Sequence, residues 1–170
     1  VHFAQTKGIT HEALTALFPI FTIATIGFAL CCGWAVDKFG ATRLLPLIGI
    51  PWVFGFLAMF VADGYGMMIL GFICMALAQG GNGTVLVAFW SEVYGTKHLG
   101  SIKAFATAIM VIGSAVGPAL TGYFIDKGTA FVDQMPLIAG YFVISTAITF
   151  VAVHFARRTL LPQPMHASQP

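Results

Sequence analysis

One short stretch of the chain concentrates charge and glycine: GWAVDKFGATR, Gly33 to Arg43. Asp37 and Lys38 are adjacent there, although only 8% of the residues in the whole chain are charged. A carboxylate can accept hydrogen bonds from the unpaired N–H groups at the start of a helix, where the helix dipole also favours an anion. Gly40 can adopt a positive φ and turn the chain sharply. The chemistry expected here is therefore a polar contact between helix ends, with Lys38 and Arg43 completing the network.

A second set of polar side chains lies inside long apolar runs, where hydrogen-bonding groups are scarce. Gln79 and Asn82 are three residues apart, so they share one face of a helix. Neutral polar groups in such runs either bind a solute or join neighbouring helices, and the sequence leaves both interpretations open. The candidates for solute binding are Gln79, Asn82, Thr22, Thr25, Met110 and Ser114.

The residue types needed for catalysis or metal binding do not come together in this sequence. All six acids lie at the ends of the apolar runs or between them, and the motifs HExxH and GxSxG do not occur. Cys31 and Cys32 are adjacent, and neighbours on a helix point about 100° apart, so the two cannot readily ligate one metal. We therefore expect no enzymatic activity, no metal and no cofactor.

Composition indicates that lipid is the solvent. Of 170 residues, 58% are hydrophobic and only 8% are charged. A soluble domain carries about 25% charged residues. The net charge of +2 is too small to indicate a nucleic-acid partner. Five charge-free runs are each long enough to cross a bilayer as a helix. We predict an all-α membrane protein with helices at 13–36, 44–62, 66–92, 102–125 and 134–156.

The distribution of Lys and Arg predicts the orientation in the membrane. Five crossings place six of these residues on one side and two on the other, and the richer side is expected to be cytoplasmic; it carries Lys38, Arg43, Lys97, Lys103, Arg157 and Arg158. The C-terminus is then cytoplasmic, with residues 159–170 a disordered tail. The chain begins with Val1, and we interpret residues 1–12 as the end of a truncated preceding helix and an extracytoplasmic loop.

The pattern G-x-x-x-D-K-x-G, from Gly33 to Gly40, resembles the signature loop of the major facilitator superfamily of transporters, between their eighth and ninth helices. Two further segments are similar to bacterial members: SEVYGTKHLGSIKAF, from Ser91, and GSAVGPALTGYFID, from Gly113. The basic pair that often follows the last glycine of the loop is replaced here by Ala41-Thr42. The resemblance covers nearly the whole chain and implies helices eight to twelve, most of one six-helix half-bundle.

The resemblance implies a multi-pass secondary transporter of the bacterial inner membrane that moves a small solute by alternating access. Its partners would be the lipid bilayer, the missing N-terminal half, and a solute that is an organic anion or a drug-like molecule. The gating residues would be Gly33, Asp37, Lys38, Gly40, Arg43 and Glu92, with Asp37 latching the two halves and Glu92 paired with Arg43 or Lys97. The glycines and proline of the second similar segment would serve helix packing and kinking: Gly113, Gly117, Pro118 and Gly122. The alternative is a non-transporting membrane subunit or an inactive fragment.

An internal echo agrees with this interpretation. CGWAVDKFG, from Cys32 to Gly40, and TGYFIDKG, from Thr121 to Gly128, share Gly, an aromatic residue, Asp-Lys and a final Gly. The copies are three helices apart, so they are expected on opposite faces of the membrane. Inverted three-helix repeats are a common plan of transporters, although so short a match can also arise by coincidence.

Overall fold

The computed structural model describes residue 12 and residues 15–159. Five long helices cover most of this part: α1 (Leu17–Phe39), α2 (Ala41–Phe60), α3 (Tyr65–Tyr94), α4 (Leu99–Asp126) and α5 (Phe131–Thr159). Each is apolar and has 20 residues or more, enough to span about 30 Å of hydrocarbon. The all-α membrane fold with five spans is confirmed. The expected features at 1–12 and 159–170 lie, apart from Glu12 and the helical Thr159, outside the described residues.

The junction of α1 and α2 is much tighter than the sequence predicted. We predicted that the first helix ends at residue 36 and the second begins at residue 44, and both boundaries were wrong: α1 continues to Phe39 and α2 begins at Ala41. Only Gly40 separates the helices, with φ 82°, and its N–H donates to the carbonyl of Val36 at 2.8 Å. The charged residues at this water interface are helical, so the end of a charge-free run is not the end of the helix.

Helix α2 is interrupted soon after it begins. It consists of an α-helical turn at Ala41–Leu44, a 3₁₀ turn at Leu45–Leu47 and a longer α-helix at Gly49–Phe60. Pro46 lies at the start of the 3₁₀ turn and has no N–H to continue the α-helical hydrogen bonds. The first turn of α2 is therefore a short piece that depends on neighbouring groups for support.

Two buried clusters show in which direction each helix runs. One contains residues from the start of α1, the end of α2 and the starts of α3 and α5: Leu17, Met59, Ala62, Met68, Val132 and Met135. The other joins the start of α2 to the later parts of α3 and α5: Ala41, Val85, Phe89 and Val153. We call the end with the second cluster the motif end and the other the opposite end. Helix α2 therefore runs antiparallel to α1, α3 and α5, which run parallel to one another.

Small residues on α3 allow its neighbours to approach backbone to backbone. A Cβ added at Gly80 would lie 2.5 Å from the carbonyl oxygen of Thr25 and 2.9 Å from the amide nitrogen of Ala29, both on α1. Nearer the opposite end, Gly55 of α2 and Gly71 of α3 face each other, and a Cβ at either would lie 3.2 to 3.3 Å from the carbonyl oxygen of the other. Close packing of this kind stabilises helix pairs in lipid, where no hydrophobic effect drives them together.

Helix α4 stands apart from this packed group. None of its residues is buried, and nothing lies within 4 Å of a Cβ placed at Gly113, Gly117 or Gly122. The helix is continuous through Pro118. Within the part of the chain that the structure describes, these glycines pack against no neighbour, and their packing role stays a prediction.

The crossing of α1 and α3 gives a direct test of the packing. We expect Gly80→Ala to lower the melting temperature, because an overpacked contact costs about 1–3 kcal/mol and the atoms in the way belong to the α1 backbone. The measurement is thermal unfolding in one detergent. Gly83→Ala is the matched control, since nothing lies within 4 Å of its Cβ position and alanine favours the helix. Equal melting temperatures for the two variants would contradict the crossing.

Candidate functional site at the motif end

The carboxylate of Glu92 binds the start of α2. Glu92 lies in the last turn of α3, and its Oε1 and Oε2 accept hydrogen bonds from the N–H groups of Ala41, at 2.7 Å, and Thr42, at 3.0 Å. These are among the N–H groups that a helix leaves unpaired at its N-terminus. No side chain of α2 itself caps them, so a residue about 50 positions later in the chain supplies the acceptor. Two charge-assisted bonds of this length hold the motif end of α3 against the α1–α2 junction.

This contact differs from the one that the sequence suggested. We expected Glu92 to pair with Arg43 or Lys97; the structure pairs it with backbone N–H groups instead. Arg43 and Lys97 are both exposed. The sequence signalled the need for such an acceptor, although not that Glu92 supplies it. The residue before Ala41 is a glycine, which has no side chain to cap the new helix, so the helix needs an acceptor from elsewhere.

The backbone conformation at position 40 favours glycine, whereas the space around it does not require one. Its φ of 82° and ψ of 146° are unfavourable for residues with a Cβ. A Cβ there would still find ordinary room, with Glu92 Oε1 the nearest atom at 3.6 Å. Gly33 likewise is not forced by space within the described structure, since its Cβ position lies 3.9 Å from the nearest atom, Thr84 Cγ2.

Asp37 and Lys38 occupy the last turn of α1, and both are exposed. The carboxyl end of a helix dipole is negative, which favours the lysine and disfavours the aspartate. Lys38 lies over its own helix, with Nζ 4.9 Å from the centre of the Trp34 ring, a cation–π distance. Among the described residues no group is hydrogen-bonded or ion-paired to the Asp37 carboxylate, which leaves it accessible at the motif end.

The echo of the motif repeats this local structure at the end of α4. Lys127 Nζ lies 5.7 Å from the centre of the Tyr123 ring, four residues earlier, as Lys38 lies over Trp34. The glycine that follows has φ 89°, against 82° at Gly40. The residues that the two segments share therefore form the same aromatic–lysine contact, followed in each case by a glycine with positive φ.

The candidates for solute binding lie on three helices, and no hydrogen bond joins one of them to another in the described part of the chain. The hydroxyls of Thr22, Thr25 and Ser114 each donate to a carbonyl of their own helix, at 2.7 to 2.9 Å. Gln79 and Met110 are exposed. Asn82 lines a cavity between α2, α3 and α5. Their common role as a binding site therefore stays a prediction.

That cavity also holds residues that the sequence analysis missed. Its volume is about 290 Å³, and its walls include Trp52, Trp90, Phe142 and Thr146. The Thr146 hydroxyl is buried and has no hydrogen-bond partner among the described residues. No sequence signal marked it, because a threonine in an apolar helix ordinarily binds its own backbone.

Comparison with known proteins finds one family. The pattern of the Major Facilitator Superfamily matches residues 1–169. The chain is similar to a glucose transporter, GlcP, of Staphylococcus epidermidis, with 26% identity over 123 residues, or 72% of this chain and 26% of the relative. It is also similar to a multidrug resistance protein B homolog of Mycobacterium tuberculosis, with 30% identity over 156 residues, or 91% of this chain and 27% of the relative. The chain therefore spans about a quarter of the length of these relatives. No solved structure matches it.

The Glu92 contact predicts a local change in hydrogen exchange. In Glu92→Ala the Ala41 and Thr42 amides lose their acceptor, and a bond to a charged group contributes about 1.5–3 kcal/mol. We expect these amides to exchange at least about tenfold faster than in the parent protein. Hydrogen–deuterium exchange of a peptide covering residues 40–45 measures this.

Asp37→Asn is the matched control, because it removes a nearby carboxylate that accepts no hydrogen bond from the described residues of α2. Exchange at 41–42 that is unchanged in Glu92→Ala, or equally fast in both variants, would contradict the contact.

Proposed function

Because this chain belongs to the Major Facilitator Superfamily, we propose that it supplies helices eight to twelve of a secondary carrier that moves a small solute by alternating access. Family membership and the transporter relatives support solute transport by a membrane carrier. The assignment to helices eight to twelve of an alternating-access carrier rests on the motif end. There the exposed Asp37 lies beside the α1–α2 junction that Glu92 holds. The chain covers only about a quarter of its relatives, so the rest of such a carrier would come from sequence outside it.

Asp37 is the proposed latch between the two halves. Its carboxylate is exposed in the unfavourable last turn of α1, where the helix dipole repels an anion. A helix N-terminus of the other half would offer unpaired N–H groups and the positive end of a dipole, and would relieve that repulsion. Forming and breaking this contact would close and open the motif end.

Glu92 has a separate part in the proposal. Its two bonds to Ala41 and Thr42 fix the direction in which α1 meets α2, and Asp37 lies only three residues before Gly40. A latch works only if its acid returns to the same place in each cycle. Glu92 would therefore act as a positioning residue for Asp37, with Lys38 and Arg43 adding positive charge at the same surface.

The exposed surface of α4 is consistent with a large neighbour, outside the described residues, that packs against this helix. A 28-residue helix with no buried residue and with Gly113 and Gly117 spaced as in GxxxG has a surface suited to close helix packing. We assign this surface to the missing helices of the same carrier, with Pro118 allowing the helix to bend as the halves rock.

The solute is expected to be small and polar or amphipathic, because Gln79, Asn82, Thr22, Thr25 and Ser114 are neutral hydrogen-bonding groups. The relatives are named for glucose and for multidrug resistance, so neutral and drug-like solutes are the first to test. Lys103, in the first turns of α4, would also suit an organic anion. The host membrane is expected to be the bacterial inner membrane, with the motif end and the C-terminus cytoplasmic.

The second candidate is a non-transporting membrane subunit or an inactive fragment. The observation that favours it is the short span relative to the relatives, because a path between two halves needs both. Uptake assays on this chain alone and on the longest reading frame that contains it separate the two. Uptake by neither form, with both in the membrane, would favour the second candidate.

The latch predicts a specific loss of transport. Asp37→Asn keeps the shape of the side chain but removes its charge, and a coupling between two states is commonly 1–3 kcal/mol, or about 5- to 150-fold. We expect at least fivefold slower uptake in proteoliposomes at equal protein content, with the Glu92–α2 contact intact. Asp63→Asn, an exposed acid at the opposite end, should transport like the parent. An unchanged rate in Asp37→Asn would remove the latch.

A further inference from the structure

The end of α4 carries the same features as the end of α1, but at the opposite end of the bundle. Asp126 is the last residue of α4 and is exposed, as Asp37 is in the last turn of α1. Helix α5 begins soon afterwards, at Phe131, and Val132 belongs to the buried cluster of the opposite end. The chain therefore places one acidic helix end at the motif end and a second at the opposite end.

The Asp126 carboxylate is accessible in the same way as that of Asp37. Among the described residues no group is hydrogen-bonded or ion-paired to it, and Nζ of the adjacent Lys127 lies instead 5.7 Å from the centre of the Tyr123 ring. The carboxyl end of a helix dipole is negative, so an anion there is unfavourable. A partner from outside that is positive or donates N–H groups would remove this cost.

A buried side chain holds the α4–α5 junction, as Glu92 holds the junction of α1 and α2. Gln134, at the start of α5, is only 5% exposed, and its Nε2 donates to the carbonyls of Thr121 in α4 and Thr129 in the connection, both at 3.4 Å. These bonds are longer than those of Glu92, but they give the same kind of support. In both places a side chain from a neighbouring helix fixes the backbone beside an exposed acid.

This end of α4 is open to a neighbour. Tyr123 is 57% exposed, and a Cβ at Gly122, one turn before Asp126, would meet no atom within 4 Å. A surface with a glycine, an aromatic ring and a carboxylate suits the start of another helix, because the glycine allows close approach and the acid can accept the unpaired N–H groups. The chain spans about a quarter of the length of its relatives, and the sequence outside it would supply such a helix.

We propose that Asp126 is a second latch, which binds a helix N-terminus of the other half and closes the opposite end of the carrier while the motif end is open. Since the proposal takes Asp37 as the latch of the motif end, it rests on the proposed function. Each contact stabilises the state in which its own end is closed, so the two oppose each other. Without an opposing contact, one latch would favour its state about 5- to 150-fold, the usual size of such couplings, and would slow the return step.

We compare Asp37→Asn and Asp126→Asn in the longest reading frame that contains this chain, reconstituted in nanodiscs. Hydrogen–deuterium exchange is measured on peptides from the last turns of α1, residues 33–39, and of α4, residues 120–126. Amides covered by a closed end exchange when that end opens. The quotient of the opposite-end rate and the motif-end rate therefore follows the ratio of the two states.

We expect Asp126→Asn to raise this quotient at least fivefold, because the opposite end opens more often and the motif end less often. Asp37→Asn should lower it at least fivefold, and the double variant should lie between the two single ones. A purely local effect of Asp126→Asn has the other sign, since removing an anion from the negative end of a helix stabilises its last turn and slows exchange there.

Asp63→Asn is the matched control. It removes an exposed acid at the same end, in the connection between α2 and α3, and should leave the quotient unchanged. All the variants keep the shape of the side chain, and equal melting temperatures in the nanodiscs establish that the fold is kept.

Two results for Asp126→Asn would overturn the proposal. One is a quotient that is unchanged or lower. The other is faster exchange at the opposite end without slower exchange at the motif end, which means that the acid only supports the end of α4. The two latches are judged separately: a response to Asp37→Asn alone removes the second latch and keeps the first, whereas a response to Asp126→Asn alone removes the first and keeps the second.

Discussion

Charge cannot be hydrated inside hydrocarbon, and this constraint decides where each of the described helices meets water. The acids of the described helices lie in or beside their terminal turns or in the connections, and the stretches between them are long enough to cross a bilayer. Two of these boundaries use the same local device, in which a lysine lies over an aromatic ring four residues earlier and a glycine with positive φ ends the turn. Each boundary therefore carries a cation at its helix end, and the next helix begins after one residue, Gly40, in the first case and after four residues, 127–130, in the second.

Between those boundaries, the bundle is held by close contact and by a few polar bonds. The backbone crossing at Gly80 sets the distance between α1 and α3. At this distance Glu92 reaches the N–H groups of Ala41 and Thr42, which the broken first turn of α2 leaves without an internal partner. The packing and the carboxylate contact thus support one another, and together they hold Asp37 at the motif end without burying it. An accessible acid on a rigid junction is what a reversible contact between two bundles requires.

Much of the fold could be predicted from the sequence. Most of the features that could not be predicted depend on contacts between distant parts of the chain. Charge-free runs predict the five helices because the cost of burying charge acts residue by residue, and Gly40 was predictable because a positive φ is a local property. The extent of α1 through Asp37 and Lys38 was misjudged, since charge marks the water interface and not the end of a helix. The partner of Glu92 and the direction of the Thr146 hydroxyl depend on how helices distant in sequence cross, which no local pattern contains.

The most direct measurement of the central claim concerns the two Asp-Lys helix ends, which this account places on opposite faces of one membrane. Lys38→Cys and Lys127→Cys are made separately in a background where Cys31, Cys32 and Cys74 are alanine, and intact cells are treated with a membrane-impermeant maleimide. Lys127→Cys is expected to react from outside, and Lys38→Cys only after the cells are permeabilised. Labelling of both cysteines from the same side would contradict it.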